Sequence, residues 1–208
     1  CQNFLPAGSS TTQHRAAWIE GSLPAVGGWS GMHTRVIRHD SGDGQPHVLS
    51  FEPDGSRYYL QDVCAYNHGG GGNYVGDARL IMELQPTGDT GWIELTLIRD
   101  GYRFTTRLNM CGEHSPHMRK PKGGTDEILH TTRDSPLAVG QAHRIEFGHL
   151  DYQAYLRLDG VKILSSHDDE YQPNLGALRQ SRRINPLELS LTASGISCEI
   201  RNLRVDRD

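Results

Sequence analysis

The chain has 208 residues, 24 of them glycine and 10 proline, so about one position in six favours a turn over regular interior structure. That composition argues against an all-helical protein, and 23.1 kDa is enough to bury a substantial core in one large all-β domain. Hydrophobic residues make up 36 % and charged residues 22 %, and 25 acidic against 21 basic side chains leave a formal charge of -4, which points away from global disorder and from nucleic-acid binding.

The chain begins with Cys1 rather than Met, so it reads as a processed product or as a piece of something longer, and a domain boundary is favoured over a lipoprotein start. No run approaches the roughly 18 apolar residues of a spanning helix, and the N-terminus lacks the basic and apolar regions of a signal peptide, so a soluble chain is expected. Residues 1–34 are rich in Gly, Ser, Pro and His, with aromatic anchors at Trp18 and Trp29, and are expected to be a lead-in segment packing on the core. A single sandwich domain is expected over residues 35–208.

Within that domain the chain reads as strand after strand. Residues 47–51 end at the turn Glu52-Pro-Asp-Gly55, and residues 58–66 end at a run of four glycines, Gly69 to Gly72. Ala78, Leu80, Met82 and Leu84 then alternate with Arg79, Ile81 and Glu83, the period of two that buries one strand face. Ile93, Leu95 and Leu97 point one way and Glu94 and Thr96 the other, and Asp100-Gly101 supplies the positive-φ chemistry of a tight hairpin. The return strand carries Tyr102, Phe104, Thr106 and Leu108 on one face and the solvated row Arg103, Thr105 and Arg107 on the other. Residues 111–122 are expected to be a long loop before a strand at 128–132. A second hairpin alternates Ala154, Leu156 and Leu158 with Tyr155 and Arg157 up to Asp159-Gly160, and two closing strands occupy 187–191 and 196–205 around Ser194-Gly195.

About ten short strands, most with one buried face, need a second apolar layer to cover them. The economical answer is an all-β, two-sheet antiparallel jelly-roll sandwich. Its chemistry is sparse. The four glycines lack the Lys-Ser/Thr ending of a phosphate loop and read as a connection. His114 and His117, near His130, read as exposed loop histidines rather than metal ligands, and the acidic run from His167 to Glu170 reads as a solvated turn rather than a calcium loop. The cysteines, Cys1, Cys64, Cys111 and Cys198, show no zinc-ligand spacing, and a buried free thiol is as reasonable as a disulfide at Cys64 and Cys198. Glu83, Glu94, Glu146 and Glu188 stand singly and read as outward-facing, with no Glu-x-Asp-x-x-Glu run of the laminarinase kind and no nucleophile elbow. No catalytic residue, metal or cofactor is expected.

Asp62-Val-Cys-Ala-Tyr-Asn67, followed after the glycines by Asn73-Tyr-Val-Gly-Asp77, resembles the β-sandwich region inserted in signal peptidase I-like proteins of planctomycete bacteria. Gly101-Tyr-Arg-Phe104, His143-Arg-Ile-Glu-Phe147, Leu156-Arg-Leu-Asp-Gly160 and the closing segment from Ile200 to Arg207 fit the same order. The last two also resemble the wider laminin-G and concanavalin A-like lectin and glucanase sandwiches. The resemblance implies an extracytoplasmic domain, tethered through the parent's membrane segment beside a Ser/Lys protease. This chain has none of the protease boxes, so a non-catalytic accessory or binding domain is expected, monomeric, with a glycan or protein ligand on a concave sheet face. The outward candidates to hold it are Trp92, Arg103, Arg107, Tyr155 and Arg157. The alternatives are a sugar-hydrolysing sandwich similar to the keto-disaccharide hydrolases, and a spacer without a ligand.

Overall fold

The structure, a computed structural model, describes residues 17–20, 28–31, 34–40, 42, 44–52, 78–99, 101–110, 114–119, 126–128, 137–166, 171 and 188–207. They form β1 (Ala17–Glu20), β2 (Gly28–Ser30), β3 (Val36–Asp40), β4 (His47–Glu52), β5 (Ala78–Pro86), β6 (Trp92–Arg99) and β7 (Tyr102–Asn109). Beyond these come β8 (His114–Arg119), β9 (Asp126–Ile128), β10 (His143–Leu150), β11 (Gln153–Leu158), β12 (Val161–Ser165), β13 (Glu188–Ser194) and β14 (Cys198–Arg207). Two seven-stranded sheets result. Sheet A has the order β1-β4-β13-β6-β7-β8-β9 and sheet B the order β12-β11-β10-β5-β14-β3-β2, with the paired strands antiparallel. Neighbours far apart in sequence, such as β4 with β13 and β5 with β14, make this the expected two-sheet jelly roll rather than a string of hairpins.

The period of two in the sequence places the core. On sheet A, Ile93, Leu95 and Leu97 of β6 sit opposite Leu108, Thr106 and Phe104 of β7 and beside Ala193, Leu191 and Leu189 of β13. On sheet B, Leu80, Met82 and Leu84 of β5 sit between Phe147, Ile145 and His143 of β10 and Val205 and Ile200 of β14. These apolar side chains are buried where the two sheets face each other. Each fully buried Leu, Ile or Phe contributes about 1.5–3 kcal/mol relative to exposure, enough to hold parity along β5, β6, β7 and β13, while β14 shifts register between Arg201 and Arg204 so that both Ile200 and Val205 reach the core.

One polar device ties the sheets together inside. The imidazole of His39 on β3 donates from Nδ1 to the Ile196 carbonyl at 2.6 Å, and its Nε2 lies 2.9 Å from Nδ1 of His47 on β4. With His39 neutral, His47 is then the donor of that bond. Trp29 of β2 donates its indole N–H to the His47 carbonyl at 3.1 Å and packs against the His39 ring. Cys198, across from His39 on β14, is a buried free thiol, and burial pushes its pKa up to about 12, so it is unreactive in the folded chain.

The structure corrects several sequence expectations. Residues 114–119, expected within a loop, form β8, which pairs with β7 and makes Thr106 face Pro116. Among the described residues, β9 pairs with 117–119 and reaches no further along β8 than His117. The following strand lies at 126–128, ahead of the expected 128–132, of which 129–132 fall outside the described residues. The closing strands run two or three residues further than expected, to Ser194 and Arg207. Trp18 and Trp29 lie in β1 and β2, which are edge strands of the two sheets. The motif from Asp62 to Asp77, the glycine run, His130, Cys1, Cys64, Cys111 and residues 167–170 all lie outside the described residues.

Candidate functional site

Strand alternation sends the five candidate residues outward, but on two different faces. Trp92, Arg103 and Arg107 occupy the outer face of sheet A, and Tyr155 and Arg157 the outer face of sheet B, on the far side of the core. A single site holding all five is therefore ruled out. Alternation tells which residues leave the core, whereas the choice of sheet depends on long-range pairing.

On sheet A, Trp92 and Arg107 meet. Gly91, with φ +87, closes the approach to β6, and a Cβ there would lie 2.2 Å from the Gly195 carbonyl carbon in the β13–β14 turn, so the backbone passes at glycine distance and delivers Trp92 next to Ser194. The Arg107 guanidinium lies over the Trp92 ring, 3.9 Å from its centroid, and its Nη2 donates to Oε2 of Glu94 at 3.1 Å. The two-residue turn makes β6 and β7 positions pair so that Glu94 is directly opposite Arg107. That register was readable from Asp100-Gly101, and it is the signal by which Glu94 could have been added to the candidates. One face of the indole is thus covered by the guanidinium, whose remaining N–H groups are held in place beside a carboxylate. Hydroxyl and amide residues flank this pair: Asn109 is opposite Trp92, Thr105 is two residues from Arg107, and Thr192 is opposite Glu94. Arg103 stands four residues from Arg107 along β7, opposite Ile98, about 13 Å away along the strand, and does not join the cluster.

On sheet B, Tyr155 departs from expectation because it faces outward yet is only 8 % exposed. Its cross-strand neighbour on β10 is Gly148, whose other neighbour on β5 is Arg79, so the tyrosine has room on the missing side chain's side. Arg79 hydrogen-bonds the phenol, and Arg157 lies 5.4 Å from the ring centroid. Desolvation outweighs both cations and raises the Tyr155 pKa above its ordinary value of 10.0. Glu146, expected to stand singly, accepts from Arg144 at 2.8 Å and lies 3.6 Å from Arg157.

Glu146, Glu94, Asp206 and Glu199 each lie within 4 Å of at least one guanidinium, and hydrogen bonds from Arg201 and Arg38 hold the Glu199 carboxyl below its ordinary pKa. Among the described residues, no three His, Cys, Asp or Glu side chains come together to hold a metal ion. His114 and His117 occupy β8 positions of opposite parity.

No family model matches the chain, and no curated protein matches it by sequence. Solved structures do share its fold. One is an endo-acting O-glycanase of the kind that prominent members of the human gut microbiota express to initiate mucin breakdown, with TM-score 0.56 and 11 % identity over 97 % of this chain and 96 % of that one. Another is the exoplasmic/lumenal domain of VIP36 in a form bound to Ca2+ and Man3GlcNAc, with TM-score 0.53 and 9 % identity over 92 % of this chain and 84 % of that one. A third is the carbohydrate binding module CBM66 from Bacillus subtilis, with TM-score 0.52 and 10 % identity over 90 % and 94 % of the two chains. The fold is therefore that of the concanavalin A-like lectin and glucanase sandwiches.

Proposed function

We propose that this chain is a non-catalytic glycan-binding β-sandwich domain, and that it takes a neutral sugar at Trp92, Arg107 and Glu94 on the outer face of sheet A. The observation that carries the reading is the Glu94–Arg107 pair held against the indole. A sugar offers adjacent hydroxyls that each donate and accept, and a guanidinium beside a carboxylate supplies donors and acceptors at that spacing. The Trp92 ring and the Glu94 carboxylate hold the guanidinium before a ligand arrives, so less side-chain freedom is lost on binding. Arg103 borders the site as an extension for a longer glycan. The names of two fold neighbours, a carbohydrate binding module and a trisaccharide-bound lumenal domain, support the same reading.

The resemblance noted at Asp62 to Asp77 extends the proposal: the domain, residues 35–208 with residues 1–34 packing on it, is an accessory part of a signal peptidase I-like cell-envelope protein. It would then work outside the cytoplasm, tethered by its parent. A glycan array followed by calorimetry tests the binding. Arg107→Ala and Trp92→Ala should each weaken a bound neutral glycan by about tenfold or more, equivalent to roughly 1.4 kcal/mol, with an unchanged circular dichroism spectrum. An array without binders would leave the spacer reading standing, and variants that bind as the parent chain does would move the site elsewhere.

A further inference from the structure

The outer face of sheet B repeats one motif across five adjacent strands, a carboxylate gripped by two arginines. On β10 and β11, Glu146 holds Arg144 at 2.8 Å and Arg157 at 3.6 Å. Between β5 and β14, Asp206 holds Arg204 at 3.2 Å and Arg79 at 3.8 Å. Between β14 and β3, Glu199 holds Arg201 at 2.8 Å and Arg38 at 2.9 Å. Each triad has one more positive than negative charge, on a chain whose formal charge is -4. The one acid between them, Glu83, is opposite Arg144 on one side and Arg201 on the other.

Two features separate this face from an ordinary solvated ion-pair surface. The acids are the buried partners and the arginines the open ones: the Glu146 side chain is 10 % exposed against 54 % for Arg144 and 44 % for Arg157, and that of Glu199 is 21 % exposed against 58 % for Arg38 and 52 % for Arg201. Each carboxylate thus acts as an anchor from below, while each guanidinium, with five N–H donors, keeps donors turned to solvent. The triads are also spread across the sheet in a staggered line: Glu146 and Arg157 share a row with Ile81 and Arg204, Asp206 with Arg79, and Glu199 and Arg38 with Gln85. From Arg157 on β11 to Arg38 on β3 is four strand spacings across and four residues along, roughly 23 Å, which is too long for one small anion and suits an extended one.

We infer that the outer face of sheet B is a second binding surface, distinct from the Trp92 site, and that it takes a linear acidic polysaccharide lying across the strands. The shared chemistry is a repeated anionic group, carboxylate or sulfate, which a fixed guanidinium recognises through paired N–H donors. The excess of positive charge draws the polymer in, and the anchored arginines set its line of approach.

The test is retention of the intact chain in affinity gels containing polygalacturonate, chondroitin sulfate, a neutral β-glucan or poly-glutamate, at about 50 mM and about 300 mM NaCl, salt levels that bracket strong and weak screening. Polygalacturonate or chondroitin sulfate should slow migration at low salt and much less at high salt, and stronger retention by chondroitin sulfate, which carries both carboxylate and sulfate, than by polygalacturonate, which carries carboxylate alone, would show that sulfate adds to recognition. Replacing Arg144, Arg157 and Arg201 by Ala should remove at least about nine-tenths of the retention, and replacing the same three by Lys should restore part of it, since Lys keeps the charge without the fork. The exposed pair Arg38→Gln with Arg201→Gln is the second variant set, scored if the first fails to fold. Trp92→Ala should leave retention unchanged. Absence of retention by both acidic glycans overturns the proposal, as does equal retention by poly-glutamate, which would mark a protein-binding or unspecific cationic face. Loss of retention in Trp92→Ala would overturn the separation of the two surfaces.

Discussion

Across the centre of sheet A's outer face runs a row of hydroxyls, Ser50, Ser190, Thr96 and Thr105 on β4, β13, β6 and β7, whereas the matching row on sheet B is Tyr155, Gly148, Arg79 and Asp206 on β11, β10, β5 and β14. Both rows lie over the same kind of apolar interior. Short hydroxyl side chains cross-link little between strands, so the centre of sheet A stays level, and two of its long side chains, Arg107 and Trp92, meet beside it. Sheet B instead fits an aromatic ring beside a glycine and secures its arginines with carboxylates beneath them. The difference teaches that the outward parity of a strand says little about what its outer face does. What matters is whether the long side chains converge on one point or are distributed across the sheet.

Substitution at the centre of each face should expose that difference most strongly. A Cβ at Gly148 would lie 2.8 Å from Cβ of Arg79 and 2.9 Å from the Ala78 carbonyl oxygen, so the strands must separate. Gly148→Ala should therefore cost about 2–3 kcal/mol by chemical denaturation, while Thr96→Ala, at the centre of sheet A, should cost under about 1 kcal/mol. Equal costs would show that the sheet B face is no more tightly interlocked than sheet A.

Glu146→Gln comes next. It leaves Arg144 and Arg157 facing each other without the carboxylate between them, and because both arginines are half exposed the loss should be only about 1–2 kcal/mol, shrinking in high salt. Glu94→Gln, which frees one arginine already stacked on an indole, should cost less than about 0.5 kcal/mol while weakening the proposed sugar site. A larger stability loss from Glu94 than from Glu146 would reverse the comparison.

The pH responses differ in sign and are smaller. Tyr155 keeps its proton in the folded chain beyond 10.0, so the unfolded chain loses that proton first and stability should fall as pH rises past this value. The Tyr155→Phe variant should lack that part of the alkaline decline. Glu199 is held below the ordinary 4.5 by hydrogen bonds from Arg201 and Arg38, so its contribution is present above 4.5 and is lost as pH falls through the lowered value. An NMR titration in which Glu199 titrates at 4.5 or above would show that the triad does not hold its carboxylate as drawn. The smallest effect is on Cys198, which should stay unlabelled by a thiol reagent in native buffer and react only on unfolding.

Much of the fold was legible locally. The hairpin at Asp100-Gly101 was readable because a two-residue turn with a glycine at φ +81 fixes the register of everything that follows, down to Glu94 opposite Arg107. The turn at 151–152 does the same for Glu146 and Arg157, although both turn residues reach positive φ without a glycine. Strand β8 was hidden because His, Ser and Pro give no apolar alternation, and its place depends on β7 lying alongside to pair with it. Tyr155 was read as outward, and its burial was not legible, since the glycine and arginine beside it come from two other strands. The site was half legible: Trp92 and Arg107 were among the candidates, and their partner Glu94 was passed over because it lacks an acidic neighbour in sequence.

By itself the sequence determined the all-β class, the placement of most turns and which side of each strand meets the core, because turn chemistry and alternation act over a few residues. Only the tertiary structure decided which strands share a sheet, and hence that Trp92 and Arg107 meet on one face while Tyr155 and Arg157 lie on the other. The physical reason is that sheet membership is set by pairing between strands far apart in the chain, such as β5 with β14 and β4 with β13. Those pairings are selected by the fit of two buried faces to each other, a property that no single stretch of residues contains.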